Sequence, residues 1–260
     1  MDILFFIYFI FGKVSNFALS MKLLLDFGNT RVKVAVRDGD DLRQIYCGPV
    51  LLDHLSKAVE GLEIDGGMWC SVHPLDSSVQ AWMSSLGLSA LTAATPIPIG
   101  NDYSSPATLG MDRLAAAVGA WSIGAGKDLL VIDAGTAITY DLVSASGVYK
   151  GGNIAPGKDL RFKALHEHTG ALPLVGYNGV APMLGNDTET AIRSGVMNGI
   201  RYEMEGYIEE LGSLFPSLLV FLTGGDAESF DIKAKRSIFA LPDLVLRGLA
   251  RIVEYNERGF

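Results

Sequence analysis

The sequence has few cysteines, an excess of acidic over basic residues and no long hydrophobic run, and each feature excludes a class of protein. Only Cys47 and Cys70 occur, without a Cys-x-x-Cys motif, which excludes a disulfide-rich secreted scaffold and predicts a reducing cytoplasm. Lysine and arginine number 21 against 29 aspartate and glutamate residues, so no nucleic-acid surface is expected. The apolar run from Ile3 to Phe11 is too short to span a bilayer, and we expect no membrane association.

The chain divides into a short N-terminal extension and two predicted domains. No basic residue precedes the apolar run and no clear cleavage site precedes Met21, so a signal peptide is not favoured. We expect residues 1–20 to be a disordered extension or a start-site artefact, with Met21 as the true start. The whole 260-residue chain is 49% hydrophobic, and the part after residue 20 is long enough for two modest domains, predicted at 21–126 and 127–260.

An acidic turn that occurs twice carries most of the information. The two copies are Lys22-Leu-Leu-Leu-Asp26-Phe-Gly28-Asn29-Thr30 and Leu130-Val-Ile-Asp133-Ala-Gly135-Thr136. Alternating apolar residues follow each copy, which predicts two β-hairpins rather than the glycine turn and helix of a Rossmann fold. One such turn is common, but two that face each other across a cleft would gather carboxylates and backbone N–H groups around a nucleotide phosphate and its metal ion. The repeat therefore predicts a phosphoryl-transfer enzyme.

The other predicted elements alternate helices and strands. Helices are predicted near 51–62, 76–86, 158–168, 188–211 and 241–255, and a further helix is predicted to begin after Gly110. Strands are predicted near 67–72 and 218–223. The helix from Thr188 has Asn186 or Asp187 available as its cap. Gly195 and Gly199 lie four residues apart on it, which predicts close backbone approach either between the domains or at a dimer interface.

Four motifs together resemble those of the type III pantothenate kinases, in the same order along the chain. They are Asp26-Phe-Gly28-Asn29-Thr30-Arg-Val-Lys33, Gly110-Met-Asp112-Arg113, Asp133-Ala-Gly135-Thr136-Ala-Ile-Thr139 and Gly151-Gly-Asn-Ile-Ala-Pro-Gly157. The resemblance covers the chain from Met21 onward. It implies an α/β fold of two ribonuclease-H-like domains, as in actin-like ATPases, whose mixed sheets flank an interdomain nucleotide cleft. It also implies ATP-dependent phosphorylation of pantothenate to 4′-phosphopantothenate, the first step of coenzyme A biosynthesis, by a homodimer.

The resemblance implies one set of residues for ATP and its cations. The ATP-binding residues would be Asp26, Phe27, Gly28, Asn29, Thr30, Arg31, Val32, Lys33 and Thr136. Asp26 would help hold Mg²⁺ with ATP, and Asp133 would help hold a monovalent cation, K⁺ or NH₄⁺. An alternative for Lys33 is a solvent-facing position on the hairpin.

A second set would bind and activate pantothenate. It comprises Tyr103, Gly110, Met111, Asp112, Arg113 and Thr188. Asp112 is predicted to be the general base, because a carboxylate at the start of a helix stays ionised and accepts a proton. The alternatives are helix capping for Asp112 and Thr188, a solvated surface ion pair for Arg113 and simple packing for Tyr103.

Two other functions remain open at this point. One is a kinase of the same superfamily that acts on a sugar or a small acid, and the other is a nucleotide-binding regulatory protein of the same fold. The Gly110-Met-Asp112-Arg113 motif argues against the first, and the intact carboxylates of Asp26, Asp112 and Asp133 argue against the second.

Overall fold

A computed structural model describes residues 21–259, so the predicted extension 1–20 lies outside the described residues. Two mixed sheets contain all the described strands. The first sheet is formed by β1 (Met21–Phe27), β2 (Val32–Asp38), β3 (Asp41–Gly48), β4 (Ile64–Ser71) and β5 (Leu88–Ala90). The second is formed by β6 (Gly100–Asn101), β7 (Leu129–Ala134), β8 (Ala137–Val143), β9 (Val148–Pro156), β10 (Leu219–Thr223) and β11 (Ile238–Ala240).

The two sheets repeat one topology. The order β3-β2-β1-β4-β5 of the first sheet recurs as β9-β8-β7-β10-β11 in the second, to which β6 adds an edge strand beside β9. In both, the strand that ends in Asp-x-Gly pairs antiparallel with the next strand and parallel with the one on its other side. The predicted duplication, the two hairpins and the fold class with its two mixed sheets are thus confirmed.

Six α-helices connect and cover these strands within residues 21–259. They are α1 (Leu52–Ala58), α2 (Ser77–Ser85), α3 (Met111–Gly124), α4 (Lys158–Glu167), α5 (Thr188–Leu214) and α6 (Leu244–Glu257). The predicted helices are present with ends shifted by a few residues, whereas the short strands β5, β6 and β11 were not predicted. None of the described helices combines the length and the apolar character needed to cross a bilayer.

Helices α3 and α6 form a shared central layer between the sheets. Leu24 of β1 and Val131 of β7 belong to one buried cluster with apolar residues of α3 and α6. Neighbouring residues such as Leu25 and Ile132 point the other way, into two outer clusters covered by α1 with α2 and by α5. Strands β1 and β7 are buried on both faces because helices cover both sides of each sheet, which explains their nearly continuous apolar sequences.

Close approach of α3 and α6 depends on glycine. A Cβ on Gly119 would lie 2.3 Å from the carbonyl oxygen of Leu244, and one on Gly248 would lie 1.8 Å from that of Ala115. The C-terminal helix α6 therefore packs against α3 and against strands of the first sheet. The domain boundary at residue 126 stays a prediction, although β6 and α6 each associate with the sheet of the other predicted domain.

Candidate active site

The two acidic turns face each other. Asn29 Nδ2 in the first turn donates a hydrogen bond to Thr136 Oγ1 in the second, at 3.3 Å. The first turn is closed by a hydrogen bond from the Gly28 N–H to the Arg31 carbonyl, and the second by one from the Gly135 N–H to the Ala137 carbonyl, each at 3.0 Å. The ends of β1 and β7 thus meet at one gap.

Asp26 lies at the first side of this gap and is only 9% exposed. The Cys70 thiol on the neighbouring strand β4 donates to its Oδ1 at 3.7 Å. Burial, supported by the negative charge of Asp112, raises the pKa of Asp26 to about 6, against the opposing charge of Lys33. No pattern in the sequence predicts Cys70 as a neighbour of this carboxylate.

Asp133 lies at the other side, at the end of β7, and is partly buried. Burial and the negative charges of Asp26 and Asp112 raise its pKa to about 7. Thr139, its partner across the β7–β8 pair, points to the same face of the sheet. The Thr139 hydroxyl oxygen is buried and has no hydrogen-bond partner among the described residues.

Asp112 occupies the second position of α3, two residues after the N-cap Gly110. A Cβ on Gly110 would lie 2.5 Å from Asp112 Oδ1, so the glycine gives this carboxylate its room. Burial raises the pKa of Asp112, and the charge of Asp141 adds to it, against hydrogen bonds from the first backbone N–H groups of the helix. The helix N–H groups thus act against burial at this carboxylate, and its ionisation stays a prediction.

The structure brings Asp26, Asp112 and Asp133 close enough for their charges to act on one another. Among residues 21–259, however, no three His, Cys, Asp or Glu side chains form a group that would hold a metal ion by themselves. A Mg²⁺ ion at this gap would need further oxygen ligands, which nucleotide phosphates and water commonly supply.

The remaining residues of the predicted ATP-binding set differ in their solvent exposure. Phe27 and Val32 are fully buried in the outer core, so only their backbone atoms can reach a nucleotide. Asn29, Thr30 and Arg31 are exposed at the gap. Lys33 is not simply directed to solvent, because its Nζ donates to the Pro242 carbonyl at 2.7 Å and its charge lowers the pKa of both Asp26 and Asp133.

A third glycine turn lies beside the second one, and the sequence prediction assigned no role to its residues. Gly224 has φ +97°, and a Cβ there would lie 2.2 Å from the Ala134 carbonyl oxygen. The N–H of Asp226 donates to the same carbonyl, and its side chain pairs with Lys158 at the start of α4. The sequence feature that could have indicated this ion pair is that Lys158 directly follows Gly157 and Asp226 directly follows Gly225.

The predicted pantothenate residues Tyr103 and Arg113 lie together, and Asp112 directly precedes Arg113 in α3. The Arg113 guanidinium carbon is 5.9 Å from the centre of the Tyr103 ring, which packs against Tyr149 at 6.0 Å. Arg113 is 7% exposed and pairs with the buried Asp141, so the alternative of a solvated surface pair is excluded.

Thr188 lies apart from these residues at the exposed start of α5. The cap of this helix is Asp187, whose side chain accepts from the Thr190 N–H while the Thr190 hydroxyl contacts the Asp187 N–H. Capping is therefore not the role of Thr188. A Cβ on Gly195 or Gly199 would meet no atom within 4 Å, so these glycines mark no close approach within residues 21–259.

Comparison with known proteins agrees with these features. Residues 22–210 match the family model of type III pantothenate kinase. A type III pantothenate kinase of Phocaeicola vulgatus is 46% identical over 241 residues, covering 92% of this chain and 100% of that protein. One from Bacteroides fragilis is 48% identical over 239 residues, covering 91% of this chain and 98% of that protein.

Among solved structures, a Campylobacter jejuni protein described as a Baf family transcriptional activator aligns with TM-score 0.58 and 21% identity. The alignment covers 91% of this chain and 99% of that one, and it shows a shared fold. From the family match and the identity to the two bacterial kinases over nearly their full lengths, the chain belongs to the type III pantothenate kinases and is a kinase enzyme.

Proposed function

We propose that this chain transfers the γ-phosphoryl group of ATP to the primary hydroxyl of pantothenate, with Asp112 as the general base. The product is 4′-phosphopantothenate, and the reaction opens coenzyme A biosynthesis. The observation that carries the proposal is the gap at which Asn29 meets Thr136 and around which three carboxylates gather. Its two glycine turns supply backbone N–H donors for phosphates, and Asp112 stands beside the residues predicted for the acceptor.

The chemistry follows from this arrangement. The hydroxyl oxygen of pantothenate attacks the γ-phosphorus, the bond to the β–γ bridging oxygen breaks, ADP leaves, and the hydroxyl proton passes to Asp112. Burial raises the pKa of Asp112 above the ordinary value, which makes the carboxylate a better proton acceptor than an exposed aspartate. Arg113, with its planar donors, would bind the pantothenate carboxylate.

Two cations fit the residues at the gap. Mg²⁺ bound with ATP would offset the phosphate charge, and Asp26 would hold it together with the phosphates. A monovalent cation would be held by Asp133, and the negative charges of Asp26 and Asp112 together with the unpartnered Thr139 hydroxyl support a positive charge at this position. We expect K⁺ or NH₄⁺ to activate the enzyme, and Asp133→Asn to lose that activation, when rates are measured at constant ionic strength with Na⁺ as the control.

The general base is tested with Asp112→Asn. We expect the formation of 4′-phosphopantothenate, followed by mass spectrometry, to fall by about 10²–10⁴-fold, the usual contribution of a general base. Asp53→Asn is a matched control, because Asp53 is an exposed carboxylate at the same second position of α1. A folded Asp112→Asn protein that works at the parental rate would reject the assigned base.

The acceptor is tested with a panel of small acids and sugars supplied with ATP. Phosphorylation of pantothenate alone supports the proposal, whereas turnover of another acceptor in its place would favour a different kinase of the superfamily. Absence of turnover with every acceptor would favour a regulatory nucleotide-binding protein. The cytoplasmic location stays a prediction.

We further propose a homodimer built on α5. Gly195, Gly199 and Tyr202 lie at helical spacing on its accessible side, and Tyr202 is 45% exposed although it carries a large ring. Met183, 73% exposed, contacts the Tyr202 hydroxyl and extends this apolar surface. Thr188, on the same helix, would then lie near the partner's pantothenate pocket.

The dimer is tested by light scattering after size-exclusion chromatography. Gly199→Leu should give a monomer, because a large side chain on the glycine stripe prevents close helix contact. Ala81→Leu is the control, since Ala81 is a small exposed residue on α2. A Gly199→Leu protein with the parental mass would place the interface elsewhere.

A further inference from the structure

Asp141 is the most deeply buried charged residue among residues 21–259, and the proposed reaction assigns no role to it. It lies in β8 with 0% exposure, although aspartate is seldom fully buried unless it is paired. Its neighbours Tyr140 and Leu142 point to the opposite face, toward α5. Asp141 therefore points inward, toward α3 and the Gly110-Met-Asp112-Arg113 motif.

Arg113 of that motif meets Asp141 through two nitrogens. Its Nη2 lies 2.6 Å from Asp141 Oδ1, and its Nε lies 3.1 Å from Oδ1 and 3.2 Å from Oδ2. This ion pair uses the Nε–Nη2 edge of the planar guanidinium and leaves the Nη1 amino group outside the pair. The carboxylate thus fixes the plane of the guanidinium as well as its position.

Tyr149 and Gly152 of β9 complete the surroundings of Asp141. The Tyr149 hydroxyl donates to Asp141 Oδ1 at 2.6 Å, and burial and the Asp141 charge both raise its pKa, so it keeps the proton that it donates. A Cβ on Gly152 would lie 2.6 Å from Asp141 Oδ1 and 2.0 Å from the Tyr140 carbonyl oxygen. The second glycine of the Gly151-Gly-Asn motif therefore leaves the space that the carboxylate occupies.

We propose that Asp141 is a positioning residue, which with Tyr149 holds the Arg113 guanidinium in the orientation that binds the carboxylate of pantothenate. The assignment rests on the proposed function, because it takes pantothenate as the anion that Arg113 meets. A bound and oriented guanidinium loses less freedom when the substrate arrives, so the arrangement strengthens acceptor binding. Asp141 itself does not touch the substrate.

The test measures KM for pantothenate and for ATP separately in Asp141→Asn and Tyr149→Phe. The asparagine keeps the size of the side chain but removes the charge and turns an N–H₂ group toward the guanidinium. We expect KM for pantothenate to rise about tenfold or more in Asp141→Asn and by a smaller factor in Tyr149→Phe, with KM for ATP nearly unchanged. A merely structural role would lower the melting temperature and the active fraction without this selectivity.

Two further variants separate the interpretations. Glu203→Gln is a matched control, because Glu203 also accepts from one tyrosine, Tyr140, at 2.8 Å and one arginine, Arg161, at 2.7 Å, and it lies on α5. It should leave KM for pantothenate unchanged. In an Arg113→Ala background, Asp141→Asn should raise KM no further, since the residue through which it acts is gone.

The outcomes distinguish this inference from the proposed function. If the parent enzyme phosphorylates pantothenate but Tyr149→Phe and Asp141→Asn leave KM for pantothenate unchanged, only the positioning role is overturned. The positioning role is also overturned if Asp141→Asn raises KM for pantothenate by the same factor in the parent and in the Arg113→Ala background. A parent that does not turn over pantothenate overturns the proposed function, and the positioning role with it.

Discussion

Neutralising Asp26 should stabilise the protein when no nucleotide or metal is bound. Burial and the charge of Asp112 raise the pKa of this carboxyl from 3.8 to about 6. Because the folded-state pKa lies above the unfolded one, the folded protein binds more protons between about pH 4 and 6, and its free energy of unfolding falls as pH rises through that window. At about 1.4 kcal/mol per pH unit, the rise of the Asp26 pKa from 3.8 to about 6 corresponds to a cost of about 3 kcal/mol above that window.

Asp26→Asn removes this cost and keeps an oxygen that can accept the hydrogen bond from the Cys70 thiol. In EDTA, we expect the variant to be more stable than the parent by about 3 kcal/mol near pH 8 and by about half as much near pH 5. Urea unfolding followed by circular dichroism at equal protein concentration measures both values. Glu60→Gln, at an exposed carboxylate outside the site, should show no such difference.

The reasoning fails if Asp26→Asn is no more stable than the parent near pH 8, or if the gain does not grow with pH. A confirmed gain together with lost kinase activity would show that the charge is kept for nucleotide and metal binding at the expense of stability.

Three other predictions concern backbone contacts. Gly248→Ala should destabilise the protein by about 3 kcal/mol in urea unfolding, because its Cβ would lie 1.8 Å from the Ala115 carbonyl oxygen, whereas Gly206→Ala, with open space around it, should be neutral or slightly stabilising. Gly152→Ala should raise KM for pantothenate along with its destabilisation, because it displaces the Asp141 carboxylate; a loss of stability with an unchanged KM would contradict this. Asp187→Ala should lower the melting temperature by about 2–4 °C through loss of the α5 cap, and calorimetry with Glu209→Gln as the exposed control measures it.

The sequence by itself was enough for the duplicated unit and the family. Asp-x-Gly turns followed by alternating apolar residues are local signals, because a hairpin brings together residues that are near in sequence. The same holds for α5, whose apolar periodicity and cap lie within the segment itself. Short strands such as β6 escaped prediction, because two residues carry no periodicity and their pairing partner, β9, lies far along the chain.

The tertiary structure decided the environment of each charged group. Burial depends on which elements cover a residue, so the raised pKa of Asp112 could not be predicted from its neighbours in sequence. The pairing of Arg113 with Asp141 joins residues 28 apart, and the contact of Asn29 with Thr136 joins residues 107 apart. Residue types and their spacing were enough to predict phosphoryl transfer. Which side chains meet was determined by the packing of two sheets around α3 and α6, because distances in space depend on the whole fold.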